Sequence, residues 1–215
     1  MSGWVILDAL EYLGKFSVLV AVIFYFAESG DRRKQKHYQA WQVINTAQGK
    51  GGSGGRIEAL QELNHDRVPL VGVDLEGAFL QGLRLRKANL VRADLSAADA
   101  RNSAFIESNL TFANLLNANL RESNLQRANL QDAVLRHADL FGADLSAAIL
   151  ERADLAEADL RATNWDRTRW QHIRSIKLAN LHGIHHAPAG FLEWARAQGA
   201  VELENDNAWD ALLNH

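Results

Sequence analysis

Large apolar residues recur at every fifth position from Leu75 to Trp165. The frame runs without a break through Leu90, Leu95, Ala100, Phe105, Leu110, Leu115, Leu120, Leu125, Leu130, Leu135, Leu140, Leu145, Leu150, Leu155 and Leu160. Two residues before each of these stands a small side chain, as at Ala88, Ser103, Ser108 and Ala143, and Asp or Asn usually fills the place between. Such self-similarity decides the architecture before any local reading. A strand alternates faces with period two, so an odd repeat would throw successive leucines onto opposite faces. An α-helix turns about 100° per residue, so five residues leave a net advance of about 140° and no apolar stripe survives. A chain that bends at every repeat does bury the pattern. Four five-residue sides close a square, one coil takes twenty residues, and each large residue points inward.

The consensus Ala-(Asp/Asn)-Leu-x-x, as in Ala88-Asn89-Leu90 and Ala143-Asp144-Leu145, resembles the pentapeptide repeat family. With the apolar N-terminus described below, the chain resembles membrane-anchored bacterial members. The resemblance implies an all-β solenoid core, a right-handed quadrilateral β-helix of about five coils stacked about 4.8 Å apart. A transmembrane helix would precede it and helical caps would close both ends. The inward columns are then twenty residues apart, such as Leu75, Leu95, Leu115, Leu135, Leu155. Three departures stand out. Leu83 fills a small-residue position, Ala100 leaves room at an inward one, and Phe105 overfills the next. The last two compensate in volume, since voids and overpacking both destabilise a core. Asn and Asp before each leucine are expected to bond turn backbone, so their recurrence is structural.

The flanks divide the chain further: 1–30 anchor, 31–55 basic helix and linker, 56–68 N-terminal cap, 69–172 β-helix, 173–215 C-terminal repeat and cap. Phe16, Val18, Leu19, Val20, Val22, Ile23, Phe24, Tyr25 and Phe26 belong to one apolar run. Extended back to Trp4, it would span about 36 Å as a helix, enough for a bilayer core. Arg32, Arg33, Lys34 and Lys36 follow at once, and the positive-inside rule places that side in the cytoplasm. A single-pass membrane protein with its bulk in the cytoplasm is therefore expected, with the bilayer as a partner through residues 4–27. A helix is expected from Gln35 to Gln48, with Tyr38, Trp41 and Ile44 on one side. Five glycines between Gly49 and Gly55 read as a linker. The segment Arg56 to Asn64, with Ile57, Leu60 and Leu63 apolar, is expected to cap the open first coil, because a repeat stack exposes apolar surface and edges at its ends. Leu178-Ala179-Asn180-Leu181 reads as a last repeat shifted by one residue. Pro188 to Gln198 reads as a helix. A final helix capped by Asn205 or Asp206 carries Ala208, Trp209, Leu212 and Leu213 as one stripe. Those helices are expected to plug the last coil or to form a homodimer contact.

Composition narrows the chemistry. The chain has no cysteine, which excludes a disulfide framework and thiolate chemistry. Its formal charge of -3 is too mild to argue for nucleic acid as a partner. His172, His182, His185 and His186 are the only metal-capable cluster, and they form no recognised ligand motif, so no metal is expected. Gly-Lys-Gly-Gly-Ser at 49–53 fails the phosphate-loop spacing. No catalytic constellation appears, no cofactor is implied, and a filled coil offers no substrate cavity. The expected function is a non-catalytic scaffold or protein-binding module presenting a rigid rod to an unidentified protein partner, such as a membrane complex. The family resemblance supplies the alternative, a DNA-mimicking inhibitor or protector of a topoisomerase such as gyrase. Between Val73 and His172, fourteen Asp and Glu stand against twelve Lys and Arg, too even for a phosphate-like field. Arg84, Arg86, Lys87 and Arg92 make the first coils basic.

Overall fold

The computed structural model describes residues 30–46 and 53–214. The chain divides into two compact units, with the boundary between Gln42 and Val43. Residues 30–46 are helical, here called α1, so helix is already present five residues before the expected start. Tyr38 is 63% exposed while Ile44 is 1% exposed, so the expected Tyr38–Trp41–Ile44 stripe is not one uniformly buried face. Arg32, Arg33, Lys34 and Lys36 are exposed in the first seven residues of α1, and Lys34 pairs with Asp31 at 3.6 Å.

Among the described residues no helix is long and apolar enough to cross a membrane. That finding overturns the expected single-pass localisation with its cytoplasmic bulk. The helix at 30–46 that precedes the repeats carries Arg32, Arg33, Lys34 and Lys36 and is too polar to cross a hydrocarbon layer. The apolar run that motivated the expectation, Phe16 to Phe26 within residues 4–27, lies outside the described residues, as does most of the glycine-rich linker.

The second unit is a β-solenoid built from single-residue sides. Four sides make a coil, and each contributes one parallel bridge to the coil above. One ladder runs Asp74, Asp94, Asn114, Val134, Asp154, Ser175; the next runs Phe79, Asp99, Asn119, Asp139, Asp159, Asn180. Three inter-coil hydrogen bonds per repeat hold the stack. Leu115 N–H donates to the Val134 carbonyl (2.7 Å), Asn117 N–H to that of Arg136 (3.0 Å), and Asn114 N–H to that of Ala93 (3.0 Å). Bending occurs at a turn in every repeat, where Ala118 N–H donates to Leu115 O (3.1 Å). The third turn residue has positive φ, as at Asn117 (57°), Glu122 (55°) and Arg127 (55°), which is the type II signature. Val, Ile and Thr are absent from these positive-φ positions. β-Branched side chains clash there most severely.

The residue before each leucine braces its turn as expected. Asp94 Oδ1 accepts from Ser96 N–H (2.9 Å), Asn124 Oδ1 from Gln126 N–H (3.0 Å) and Asn129 Oδ1 from Gln131 N–H (3.0 Å). Leu90, Leu95, Phe105, Leu110, Leu115, Leu120, Leu125, Leu130, Leu135, Leu140, Leu145, Leu150, Leu155 and Leu160 are all at most 1% exposed. Leu83 and Ala100 are equally enclosed. Inward hydroxyls find carbonyls one coil away: Ser103 Oγ donates to Leu80 O (2.9 Å) and Thr168 Oγ1 to Leu145 O (2.8 Å).

Both ends are closed by helices. α2, Arg56–His65, buries Arg56, Ala59, Leu60 and Leu63. It supplies partners the missing preceding coil would have given: Gln61 Oε1 accepts from Arg84 N–H (3.1 Å), and Asn64 Nδ2 donates to Arg86 O (3.1 Å). At the far end the bridge spacing changes from twenty residues (Ile149 with Arg169) to twenty-one (Asp154 with Ser175), so the last repeat is shifted by one residue. α3, Phe191–Ala197, starts after Gly190 rather than at Pro188. Its Phe191 is fully buried and stacks on Trp165 at 4.2 Å. α4, Asp206–Leu213, is capped by Asn205, whose side chain accepts from Asn207 N–H at 2.9 Å. It lies against the side of the solenoid, where Trp209 Nε1 donates to Leu178 O (2.8 Å) and Arg161 bonds Asp206.

Candidate functional site

A core packed with leucine leaves binding to the outside of the coils. The turns present the most accessible positions, and the third turn residue stacks on its counterpart twenty residues on. At one corner this column reads Lys87, Glu107, Arg127, Ala147, Arg167, with φ of 57°, 58°, 55°, 55° and 54°. The preceding turn position reads Arg86, Ile106, Gln126, Ser146, Asp166. Together they form an open hollow of about 400 Å³, lined by Arg86, Ile106, Glu107, Gln126, Arg127 and Arg167 among others. A second hollow of about 660 Å³ shares Arg86 and adds Lys87, Arg67 and His65 at the N-terminal end.

The electrostatics of this corner differ from those of the solenoid as a whole. Arg84, Arg86, Lys87, Arg127 and Arg167 face three carboxylates, Glu107, Asp144 and Asp166, giving a local cationic excess on a repeat stretch that is slightly acidic. Glu107 sits among three cations: Arg86 Nη2 at 2.7 Å, Lys87 Nζ at 3.3 Å and Arg127 Nη1 at 4.0 Å. The Arg86 hydrogen bond, followed by that of Lys87, holds its carboxyl below the ordinary glutamate range. One carboxylate cannot neutralise three cations, and the side chains of Arg86, Lys87 and Arg127 are about two-thirds exposed (65%, 66% and 71%). Arg167 is bonded to Asp166 at 2.9 Å. Burial opposes ionisation of Asp144, but hydrogen bonds from Gln126, Ser146 and Asn164 outweigh it and keep its carboxyl below the usual range.

Elsewhere charges are more nearly self-compensating. Arg101 forms two hydrogen bonds to Asp99 (2.8 and 2.7 Å), and Arg121 reaches Asp139 at 3.1 Å. Arg152 forks onto Asp132 (2.8 and 2.6 Å), which also meets Arg174 at 3.4 Å. Arg121 lies over the Phe141 ring at 4.3 Å, and Arg92 over half-exposed Phe112 at 5.6 Å. Exposed apolar side chains are thus scattered and partly covered, and they build no continuous docking stripe.

Of the residues singled out in the sequence, Arg84, Arg86 and Lys87 come together at this corner. Arg92 lies in a different turn column, and Arg32, Arg33, Lys34 and Lys36 belong to the other unit. Arg127 and Arg167 were missed by reading basic residues as a local run. Their signal is the forty-residue spacing from Lys87, two coils at a time. Trp209, expected on a stripe that plugs the last coil or meets a second copy, is buried within its own chain, while Leu212 remains 42% exposed. His186 Nδ1 lies 3.1 Å from Asn164 Oδ1. Among the described residues no group of metal-capable side chains comes together.

Comparison with known proteins bears on this geometry. The family model described as pentapeptide repeats matches residues 70–105, 103–140 and 138–169. No curated protein matches this chain. Similar solved structures include a pentapeptide repeat protein from the Arabidopsis thaliana thylakoid lumen, at 24% identity and TM-score 0.40, covering 66% of this chain and 88% of that one. HetL, a pentapeptide repeat protein involved in heterocyst differentiation regulation in the cyanobacterium Nostoc sp. strain PCC 7120, is 31% identical at TM-score 0.27, covering 58% of this chain and 48% of its own. QnrB1, a plasmid-mediated fluoroquinolone resistance protein, is 16% identical at TM-score 0.29, covering 68% and 96%.

Proposed function

Residues 70–169 of this chain belong to the pentapeptide repeat family, and from that premise we propose that the protein is a non-catalytic protein-binding module whose contact surface is the cationic corner of its solenoid. Pentapeptide repeat proteins are non-catalytic binding modules. The observation that carries the reading is the stacking of Lys87, Arg127 and Arg167 in one turn column beside Arg86, with Glu107 alone among Arg86, Lys87 and Arg127 and Asp166 on Arg167. A rigid backbone holds these groups at fixed heights, so they need not be ordered on binding, which lowers the entropic cost of association. Exposed cations steer an acidic partner and set orientation more than they raise affinity.

The test is binding of fluorescent polyglutamate to the full chain at low salt. Binding that weakens as salt is added, and that is lost in an Arg86→Glu, Arg127→Glu double variant, supports the reading, since exposed charges are screened beyond about 10 Å at 0.1 M salt. Absence of binding by the parent, or equal binding by the variant, overturns it. Mimicry of DNA finds less support: arginines stand beside Asp99, Asp139 and Asp159, so that side carries no phosphate-like field. Inhibition of a gyrase supercoiling reaction by the purified chain would restore that alternative.

A further inference from the structure

The corner does more than collect positive charge; it spaces it. Resting on the cationic contact surface proposed above, we propose that its occupant is an acidic protein segment in polyproline II conformation, carrying a carboxylate at every third residue. Lys87, Arg127 and Arg167 are consecutive cations of one column, each separated by forty residues, which is two coils. Coils bridged backbone to backbone are about 4.8 Å apart, so these cations recur about every 9.6 Å. A polyproline II helix has three residues per turn and rises about 3.1 Å per residue, so one side presents a side chain about every 9.3 Å. Three successive carboxylates stay within about 1 Å of register along the corner.

Other conformations fit less well. An extended strand presents same-face side chains about every 6.8 Å, which misses every second cation. An α-helix returns to one face after seven residues, about 10.5 Å, and drifts by nearly 2 Å over two steps. Ile106 adds an independent feature. It lines the hollow beside Glu107, which fills the column position between Lys87 and Arg127 and pairs with both, and it is only partly buried, an apolar contact for a proline ring between two acidic residues. Two coils on, Ala147 takes the column position that Glu107 takes below, between Arg127 and Arg167, and its small side chain leaves room for the residues between carboxylates.

Four probes test the spacing on the full chain by fluorescence anisotropy: a nine-residue peptide of three Glu-Pro-Pro units; a peptide of the same composition with its three glutamates adjacent; polyglutamate; and a single-stranded oligo-dT. The regular peptide should bind at least tenfold tighter than its clustered isomer. Arg127→Glu should abolish that difference, while Arg136→Gln, on another face, leaves it intact. Thermal unfolding of each variant establishes that it folds. Equal affinity for the two peptides, with polyglutamate still bound, overturns the spacing inference and leaves the cationic contact surface standing. Tighter binding of oligo-dT than of the regular peptide overturns the assignment to a protein segment. Failure of polyglutamate as well removes the reading on which the inference rests.

Discussion

Leu120→Asp tests the inward frame at its centre. Leu120 is fully buried, and its column continues through Ala100 one coil below and Leu140 one coil above. Deleting a buried leucine side chain costs about 2–5 kcal/mol, depending on how far the surroundings collapse into the space. Ala100 cannot reach into it, so the cost lies near the upper end, about 4 kcal/mol. A carboxyl group without a hydrogen-bond partner adds about 1–3 kcal/mol. The total approaches the whole stability of a small domain, which is about 5–15 kcal/mol. For a chain of this size it lowers the unfolding midpoint by roughly 10–30 °C. Circular dichroism melting of the purified chain measures this. Leu116→Asp is the control, because Leu116 points outward one residue beyond inward Leu115 and is not buried. It should move the midpoint by no more than about 2 °C, as surface changes stay within about 0.5 kcal/mol. A Leu120→Asp protein that melts with the parent, or a Leu116→Asp protein that melts like Leu120→Asp, would refute the assignment of inward positions.

Three further outcomes are expected. Asn117→Val places a β-branched residue at φ 57° and should cost about 1–3 kcal/mol by urea titration, whereas Asn117→Gly should cost less than about 0.5 kcal/mol or stabilise. Ser103→Ala removes a buried bond to Leu80 O and should cost about 1 kcal/mol; Ser123 Oγ has no partner among the described residues, so Ser123→Ala should be neutral or stabilising on the same titration. Asp99, Asp132 and Glu107 are held below the ordinary carboxylate range by hydrogen bonds from Arg101, Arg152 and Arg86 respectively. Their folded-state pKa values lie below the unfolded ones, so their stabilisation is present above the usual carboxylate range and is lost as pH falls through the folded values. Urea midpoints should therefore be flat from pH 7 to about 5 and fall below about pH 4, and midpoints that rise on acidification would contradict these pairings.

The five-residue period made the solenoid legible because the inward positions from Leu75 to Trp165 obey it. It also identified the turn-bracing role of Asn and Asp, since that role depends only on a residue two places on. The shifted last repeat was visible in Leu178-Ala179-Asn180-Leu181 for the same local reason. The cationic corner was not read, although the twenty-residue coil was known. Arg127 and Arg167 stand outside any local charge run and join Lys87 only through stacking of the coils. The position of α4 was not legible at all, because it rests on a bond from Trp209 to Leu178 O across thirty-one residues. The absence of β-branched residues at the third turn position was visible in the sequence, yet its meaning depends on the sign of φ.

The ladder bonds between coils also set the mechanics of the solenoid. Each coil is joined to the next by weak bonds running along the axis, while within a coil the load passes through covalent backbone. Pulling across the axis therefore meets a chain that hardly yields, and pulling along it opens coils one at a time from an end. Peeling from an end must first open the two end seals: Gln61 and Asn64 on the first coil, and Phe191 stacked on Trp165 at the last. A tether fixed at one end should peel this solenoid in steps of about twenty residues.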